Sequence, residues 1–175
     1  MKRVVTVLLV LGGMSLVGCS GIPAKKDTPL ANYGKLIVRP VDFAETATDK
    51  IDASEVAAYK ASWQSLGDKF KSEFDKNIKE TGYFDQVLYS ADAVADKNSV
   101  VLETKIVSLD PGIRWVMPGV AFYQGTLRNS EGKTIGKYSA KRSVSRPITS
   151  TMAGAIESLV SELGEDAASS IGEAK

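Results

Sequence analysis

Two stretches of the sequence repeat apolar residues at helical spacing, and each stretch has a single apolar face. In both, successive apolar positions are separated by 4, 3, 4, 4 and 4 residues. The positions are Tyr59, Trp63, Leu66, Phe70, Phe74 and Ile78 within 55–81, and Met152, Ile156, Leu159, Leu163, Ala167 and Ile171 within 149–172. Each stripe predicts a long helix that buries one side. Two such helices can both be covered by one face of a sheet.

The rest of the sequence supplies the strands of that sheet. Residues 35–39 and 86–89 are short β-rich runs, residues 100–109 alternate apolar and polar side chains, and residues 120–128 and 134–146 pair as a hairpin. The predicted order is therefore β-α-β-β-β-β-α. We predict an α+β two-layer sandwich, with a mostly antiparallel sheet of about five strands and two long helices on one face.

Local signals mark where these elements begin, end or become irregular. Asp52 or Ser54 is suited to cap the first helix, and Gly82 is suited to end it. Ile135 is out of phase with the apolar face of the last strand, and Gly136 follows it. We therefore expect a β-bulge at Gly136.

The start of the chain has a different character. A basic Met1-Lys2-Arg3 precedes an apolar run that reaches Val17, and small residues follow. The run is too short for a bilayer core of ~30 Å, which needs ~20 apolar residues. A basic start, a short apolar run and small residues together predict a secretory signal peptide. Cys19, which follows, is the only cysteine, so the chain cannot form an internal disulfide.

The sequence Leu16-Val17-Gly18-Cys19, in this position, resembles the lipobox of bacterial lipoproteins. The resemblance implies cleavage between Gly18 and Cys19. It also implies that the Cys19 thiol takes a diacylglyceryl group through a thioether and that the freed amine is acylated. Two or three acyl chains would anchor the protein to a membrane permanently, whereas one chain holds only marginally.

In lipoproteins of this kind the residue after the cysteine directs sorting, and an aspartate there retains the protein in the inner membrane. Ser20 stands at this position. In a cell with two membranes the resemblance therefore implies the outer membrane, with the domain facing the periplasm. We expect a signal peptide over 1–18, a lipidated tether over 19–30 and a single α+β domain over 31–175.

Composition narrows the functions that the mature chain can have. Removal of Lys2 and Arg3 leaves 20 of the 22 basic residues against 21 acidic ones, which is not the signature of a nucleic-acid or polybasic membrane-binding protein. The absence of histidine removes Ser-His and Cys-His catalysis and most zinc or iron sites. We expect no nucleic-acid partner, no metal and no cofactor.

The remaining catalytic candidates have simpler structural interpretations. Residues 130–133 fit the S-x-x-K pattern, in which a lysine activates a serine, but they lie in a Glu-Gly hairpin turn where the lysine stays solvated and charged. The carboxylates Glu73 and Asp75, and Glu165 and Asp166, are spaced so that the two members of a pair do not face each other on a helix. We therefore expect a protein that is not an enzyme.

A second resemblance rests on the segment "KETGYFDQVLYS", the "DPG" turn, the hairpin and the closing "AIESLVSELGEDAASSI". Over about residues 31–172 this arrangement looks like the bacterial lipoproteins that share domain of unknown function 4410. The "GYF" piece also resembles envelope lipoproteins with the fold of the TolB amino-terminal domain. Some of those assist secretion, transport or cell-wall synthesis. Neither resemblance implies catalytic residues.

The loop over 113–120 places Trp115 and Met117 between strands, where apolar side chains are costly if exposed. The favoured interpretation is that they fold back over the sheet edge or the open end of the core. The alternative is an anchor for a partner protein, because tryptophan and methionine often contribute most to such contacts.

A basic strand face is the other feature that points to a partner. Lys137 and Lys141 share one side of the last strand, with Arg142 and Arg146 nearby. The favoured interpretation is a solvated strand whose charges discourage edge aggregation. The alternative is a site for an acidic envelope polymer or for an acidic patch on a partner.

Together these features predict an outer-membrane lipoprotein that docks on an envelope partner or takes part in an envelope assembly. The alternative is a periplasmic carrier or sensor that binds an apolar ligand between helices and sheet. A large enclosed cavity there would favour the carrier, and a packed core would favour the docking protein.

Overall fold

The computed structural model describes residues 29–48, 51–113, 116–145 and 151–171. A short 3-10 turn, Pro29–Asn32, precedes the regular elements. The strands are β1 Lys35–Val38, β2 Gln86–Tyr89, β3 Ser99–Asp110, β4 Gly119–Arg128 and β5 Thr134–Val144. The helices are α1 Val56–Ala61, α2 Trp63–Thr81 and α3 Met152–Ser170.

The five strands form one sheet in the order β2-β1-β3-β4-β5. β1 is parallel to both of its neighbours, and the longer β3–β4 and β4–β5 pairs are antiparallel. The α+β class and the five strands are confirmed, in a sheet that is mixed. β1 and β2 are parallel because α1 and α2 carry the chain back before β2, and residues 90–98 carry it back again before β3.

Both predicted apolar stripes lie in the core between helices and sheet. Phe70, Phe74 and Leu163 are buried in one cluster with the inner side chains of the strands. Trp63 and Met152 depart from the prediction, since both are only partly buried at the margin of the cluster. The helices approach closely at Gly164, where a Cβ atom would lie 2.5 Å from the Phe70 carbonyl oxygen.

The prediction of one continuous helix over 55–81 is wrong, because the helix is interrupted at Ser62. The Ser62 hydroxyl donates a hydrogen bond to the Tyr59 carbonyl oxygen (2.7 Å), so a side chain competes for a carbonyl that a continuous helix would use. Neither predicted cap bonds to the helix through its side chain. Asp52 instead accepts from the Ser54 backbone N–H (2.9 Å) and forms a turn before α1.

Two irregular positions of the backbone lie where the sequence predicts them. Gly82 ends α2 in the left-handed conformation (φ 65°), as predicted. Leu127 pairs with Gly136 and Arg128 pairs with Thr134, which leaves Ile135 as the extra residue of a bulge next to the predicted Gly136.

The two ends of the sheet differ in what they carry. The chain enters β1 at the end that also holds the β4–β5 turn, and this is called the entry end. The β3–β4 loop lies at the opposite end, called the far end, where Asp110 pairs with Val120. Leu30 is 1% exposed, so the last residues of the predicted tether already belong to the folded domain.

None of the helices within the described ranges is long and apolar enough to cross a membrane.

Candidate functional site

The β3–β4 loop forms an exposed apolar tip at the far end of the sheet. Ile113, Val116 and Met117, here called the apolar tip, are 56%, 72% and 52% exposed. The interpretation that this loop closes over the core is therefore wrong for Val116 and Met117, and Trp115 lies outside the described residues. Exposed apolar side chains that adjoin one another are typical of interaction sites.

Backbone contacts hold the tip in shape without burial of its side chains. Ile113 and Met117 exchange two backbone hydrogen bonds, of 3.0 and 2.9 Å. Gly112 precedes them at φ 68°, and its N–H donates to Asp110 Oδ1 (2.8 Å). A Cβ atom on Gly112 would lie 2.5 Å from the Met117 carbonyl oxygen, so only glycine fits without a shift.

The predicted basic face is only partly assembled. Lys137 and Lys141 are exposed on the face of β5 that points away from the helices. Arg142 lies on the helix side, where it donates to Glu162 (2.6 Å) and Asp166 (3.1 Å) of α3. Burial raises the pKa of Asp166, and the charge of Arg142 opposes this rise. Arg142 therefore joins β5 to α3 and is not available to the exposed face.

Several predicted site residues lie outside the described residues. They are Gly18 and Cys19 at the predicted cleavage site, Ser20 at the sorting position, Trp115 in the loop and Arg146 after β5. Lipidation and sorting therefore stay predictions.

The domain also has an open cleft of about 410 Å³, here called the strand-end cleft. It lies where β1 and β2 end together, because Val38 pairs with Tyr89. Beyond these residues β1 and β2 no longer pair with each other. Asp42 hydrogen-bonds with β3 through Thr104 and Ile106, and the chain after Tyr89 runs toward Arg39. The first half of α2 forms the remaining wall.

Aromatic rings form one side of the strand-end cleft. The rings of Phe43 and Trp63 stack, with centroids 5.8 Å apart and an interplanar angle of 17°. Tyr89 borders the cleft at the end of β2. Its hydroxyl donates to Asp75 Oδ1 (3.0 Å), and burial together with this bond raises the pKa of Tyr89.

Two cationic side chains border the same cleft and contact neutral groups. The Arg39 guanidinium donates to the carbonyl oxygens of Ser90 (3.0 Å), Ala91 and Ala93 (2.9 Å), which ties the chain after β2 to the end of β1. The Lys71 ammonium lies 4.6 Å from the centroid of the Tyr89 ring, a cation–π contact.

Sequence reasoning missed this cleft, although α2 carries a signal for it. Trp63, Gly67 and Lys71 are four residues apart and line the cleft together. A glycine inside a helix costs roughly 0.5–1 kcal/mol relative to alanine, so it usually has a local reason. Assignment of Trp63 to the core stripe concealed this second stripe.

The residues that the sequence suggested as catalytic candidates make structural contacts. Residues 130–133 lie in an exposed turn in which Asn129 Oδ1 accepts from the N–H groups of Glu131 (3.1 Å) and Lys133 (2.9 Å). Asp75 pairs with Lys79 and Tyr89, not with Glu73. Among the described residues no group of three or more potential metal ligands is found.

The fold and these surfaces define a two-layer α+β domain with an apolar tip and an open cleft. No family model matches the chain and no curated protein matches it. The resemblance to domain of unknown function 4410 therefore stays a prediction.

Solved structures that resemble the fold include the PelC dodecamer from Paraburkholderia phytofirmans, at 14% identity and a TM-score of 0.45, over 77% of this chain and 88% of that one. Protein XCC0632 from Xanthomonas campestris, described under family DUF330, has 13% identity and a TM-score of 0.45, over 77% and 81%. An uncharacterized protein has 11% identity and a TM-score of 0.48, over 81% and 92%. At these values no function is transferred to this chain.

Proposed function

We propose that this protein is a lipoprotein of the bacterial outer membrane, anchored through Cys19 and facing the periplasm. It is not an enzyme in this proposal. It docks on an envelope protein, or joins an envelope assembly, through the apolar tip.

The observation that carries the proposal is the exposure of the apolar tip. Three neighbouring residues of a tightly bonded turn are each more than half exposed, although isoleucine, valine and methionine gain ~1.5–3 kcal/mol when fully buried. A partner that covered the tip would recover part of this free energy. Methionine suits such a contact, because its flexible side chain adapts to the surface it meets.

The apolar tip lies at the end of the sheet opposite to the end where the chain enters, which agrees with an anchor that precedes β1. The described chain begins at Pro29 and enters β1 at the entry end, and the ten residues from Cys19 to position 28 could span at most ~35 Å. β3 runs from the entry end to the far end over 12 residues, which is about 40 Å. An anchored domain whose entry end faces the membrane would thus present the tip to partners about 40 Å further into the periplasm.

The packed interior does not favour the alternative of an apolar ligand held between helices and sheet. Phe70, Phe74 and Ile78 of α2 are each at most 1% exposed and lie in one cluster with side chains of β3 and α3. The strand-end cleft lies beside this cluster and is open to solvent.

The test compares two full-length variants in the cell. Val116→Ser with Met117→Ser removes most of the described apolar surface of the tip, and Val94→Ser is the control, because Val94 is 89% exposed in a different loop. Both variants should melt like the parent, since surface changes usually stay within about ±0.5 kcal/mol.

After cross-linking in living cells and isolation of membranes, we expect the tip variant to lose protein partners that the parent and the Val94 variant retain. A tip variant that melts like the parent and keeps the same partners would contradict docking through the tip. Lipidation is followed separately by labelling, so failure of anchoring and failure of docking are distinguished.

A further inference from the structure

We propose that the strand-end cleft binds a small amphipathic carboxylate, whose apolar body lies against Phe43 and Trp63 and whose carboxylate is held by Arg39 and Lys71. This site is separate from the apolar tip and does not depend on how the protein is anchored.

The place of the cleft in the fold is the first argument. β1 and β2 are adjacent, parallel and of equal extent, and their pairing ends at Val38 and Tyr89. The cleft of about 410 Å³ lies outside these carboxyl ends, within the 300–1,000 Å³ that is usual for small-molecule sites.

Gly67 is the second argument, because the packing of α2 does not require a glycine there. The nearest atom to a Cβ on Gly67 would be Phe43 Cε2 at 3.9 Å, an ordinary contact. At Gly164, by contrast, a Cβ would lie 2.5 Å from a backbone oxygen, so packing explains that glycine. Gly67 leaves the wall of the cleft open at a cost of roughly 0.5–1 kcal/mol in helix stability.

The walls indicate a ligand with an apolar body. Phe43, which is 5% exposed, and the half-buried Trp63 stack on each other in the lining of the cleft, and Val38, Pro40 and Val41 continue it. Aromatic and apolar linings with a few polar groups are characteristic of sites for small amphipathic molecules.

The charges indicate an anionic group on that ligand. Arg39 donates to carbonyl oxygens, and Lys71 contacts the Tyr89 ring, while the charge of Lys71 also acts on Asp75 one turn further along α2. Of the two acids in the lining, Asp42 accepts from the Ala44 backbone N–H (2.8 Å), and Asp68 is exposed on α2. A carboxylate near two such cations would form charge-assisted hydrogen bonds, which are stronger than neutral ones.

The test uses the full chain in lipid nanodiscs and three probes with the same aromatic body. They are 3-phenylpropanoate, which is anionic, 3-phenylpropanol, which is neutral, and 3-phenylpropylamine, which is cationic. Binding is measured by titration calorimetry. The emission of Trp63, observed in a Trp115→Phe background, reports whether the probe reaches the cleft.

Three variants locate the site. Gly67→Leu places a side chain in the cleft and should abolish binding while the protein still melts cooperatively. Lys71→Gln should weaken binding of the acid about tenfold or more, corresponding to ~1.4 kcal/mol. Lys69→Gln is the matched control, because Lys69 is on the same helix but approaches Glu157 of α3 (3.9 Å).

We expect the acid to bind at least tenfold more tightly than the alcohol or the amine and to change Trp63 emission. Lys69→Gln should leave its affinity unchanged. Absence of binding at millimolar acid, equal binding of the amine, or full binding by both the Gly67 and Lys71 variants would overturn the proposal. If the leucine variant fails to fold, the comparison of Lys71→Gln with Lys69→Gln still decides the outcome.

Discussion

Gly164→Ala should loosen the packing of the two long helices. A methyl group at this position would lie 2.5 Å from the Phe70 carbonyl oxygen, and also 3.2 Å from the carbonyl carbon of Phe70 and the amide nitrogen of Phe74. These are backbone atoms, so a rotation of one side chain cannot relieve the contact. α3 must move away from α2.

The size of the effect follows from that movement. A separation of about 0.5–1 Å forfeits a quarter to a half of each dispersion contact in the affected layer. Overpacking typically costs roughly 1–3 kcal/mol, and the upper part of that range, about 2–3 kcal/mol, applies here because backbone atoms cannot rotate out of the way. Alanine recovers ~0.8–1 kcal/mol through its better helix propensity. The expected net loss is therefore about 1–2 kcal/mol of unfolding free energy.

Gly67→Ala is the matched control, because it is the same substitution inside a helix of the same length. A methyl group there meets only Phe43, at 3.9 Å. The helix-propensity gain is then not offset, and we expect stabilisation by roughly 0.5–1 kcal/mol. Thus one chemical change should have opposite signs at the two positions.

Urea unfolding of residues 20–175, followed by tryptophan emission and circular dichroism, measures both effects. The midpoint should fall for Gly164→Ala and rise for Gly67→Ala, with similar m-values. A Gly164 variant as stable as the parent would refute the close approach of the helices at this point. Destabilisation by both variants would refute the open wall at Gly67.

The other predictions concern the anchor, the core and acid sensitivity. Cys19→Ser should leave an uncleaved precursor without lipid, and labelling of this variant by a palmitate analogue would contradict the lipobox assignment. Ser20→Asp should move the protein to the inner membrane, which density-gradient fractionation would detect. Leu159→Ala should cost ~2–5 kcal/mol, because Leu159 is 0% exposed, and a loss below about 1 kcal/mol would contradict its place in the core. Burial raises the pKa of Asp75, but the hydrogen bonds from Lys79 and Tyr89 outweigh this effect and lower the pKa below its usual 3.8. The carboxylate therefore stabilises the fold above that pH and loses this effect as pH falls further, and Asp75→Asn should flatten the loss of stability in acid urea titrations.

Most helices and strands were predictable because their signals are local. The apolar steps of α2 and α3 define the buried face of a helix wherever that helix lies in the fold. The helix end at Gly82 depends only on the backbone angles of that glycine, and the bulge at Ile135 is indicated by an apolar residue out of phase within a single strand. The helix break at Ser62 was missed because serine inside a helix disrupts it only when its hydroxyl bonds to the backbone, as it does here.

The strand-end cleft could not be predicted from the sequence, because residues far apart in the sequence form it. The spacing of Trp63, Gly67 and Lys71 was present in the sequence, but Arg39 joins them only because β1 lies beside β2. The separation of Arg142 from Lys137 and Lys141 could also be known only from the structure, because it is the position of α3 that brings Glu162 and Asp166 to Arg142.

The sequence by itself determined the α+β class, the buried faces of α2 and α3, and the local turns, because hydrophobic periodicity and backbone preference act over a few residues. Only the tertiary structure decided strand order and the exposure of Met117. An apolar residue in a loop gains free energy from burial, but whether another surface lies within reach depends on how distant segments pack. At the far end of β3 the described residues leave Met117 52% exposed, so a residue expected to close the core lies at the surface.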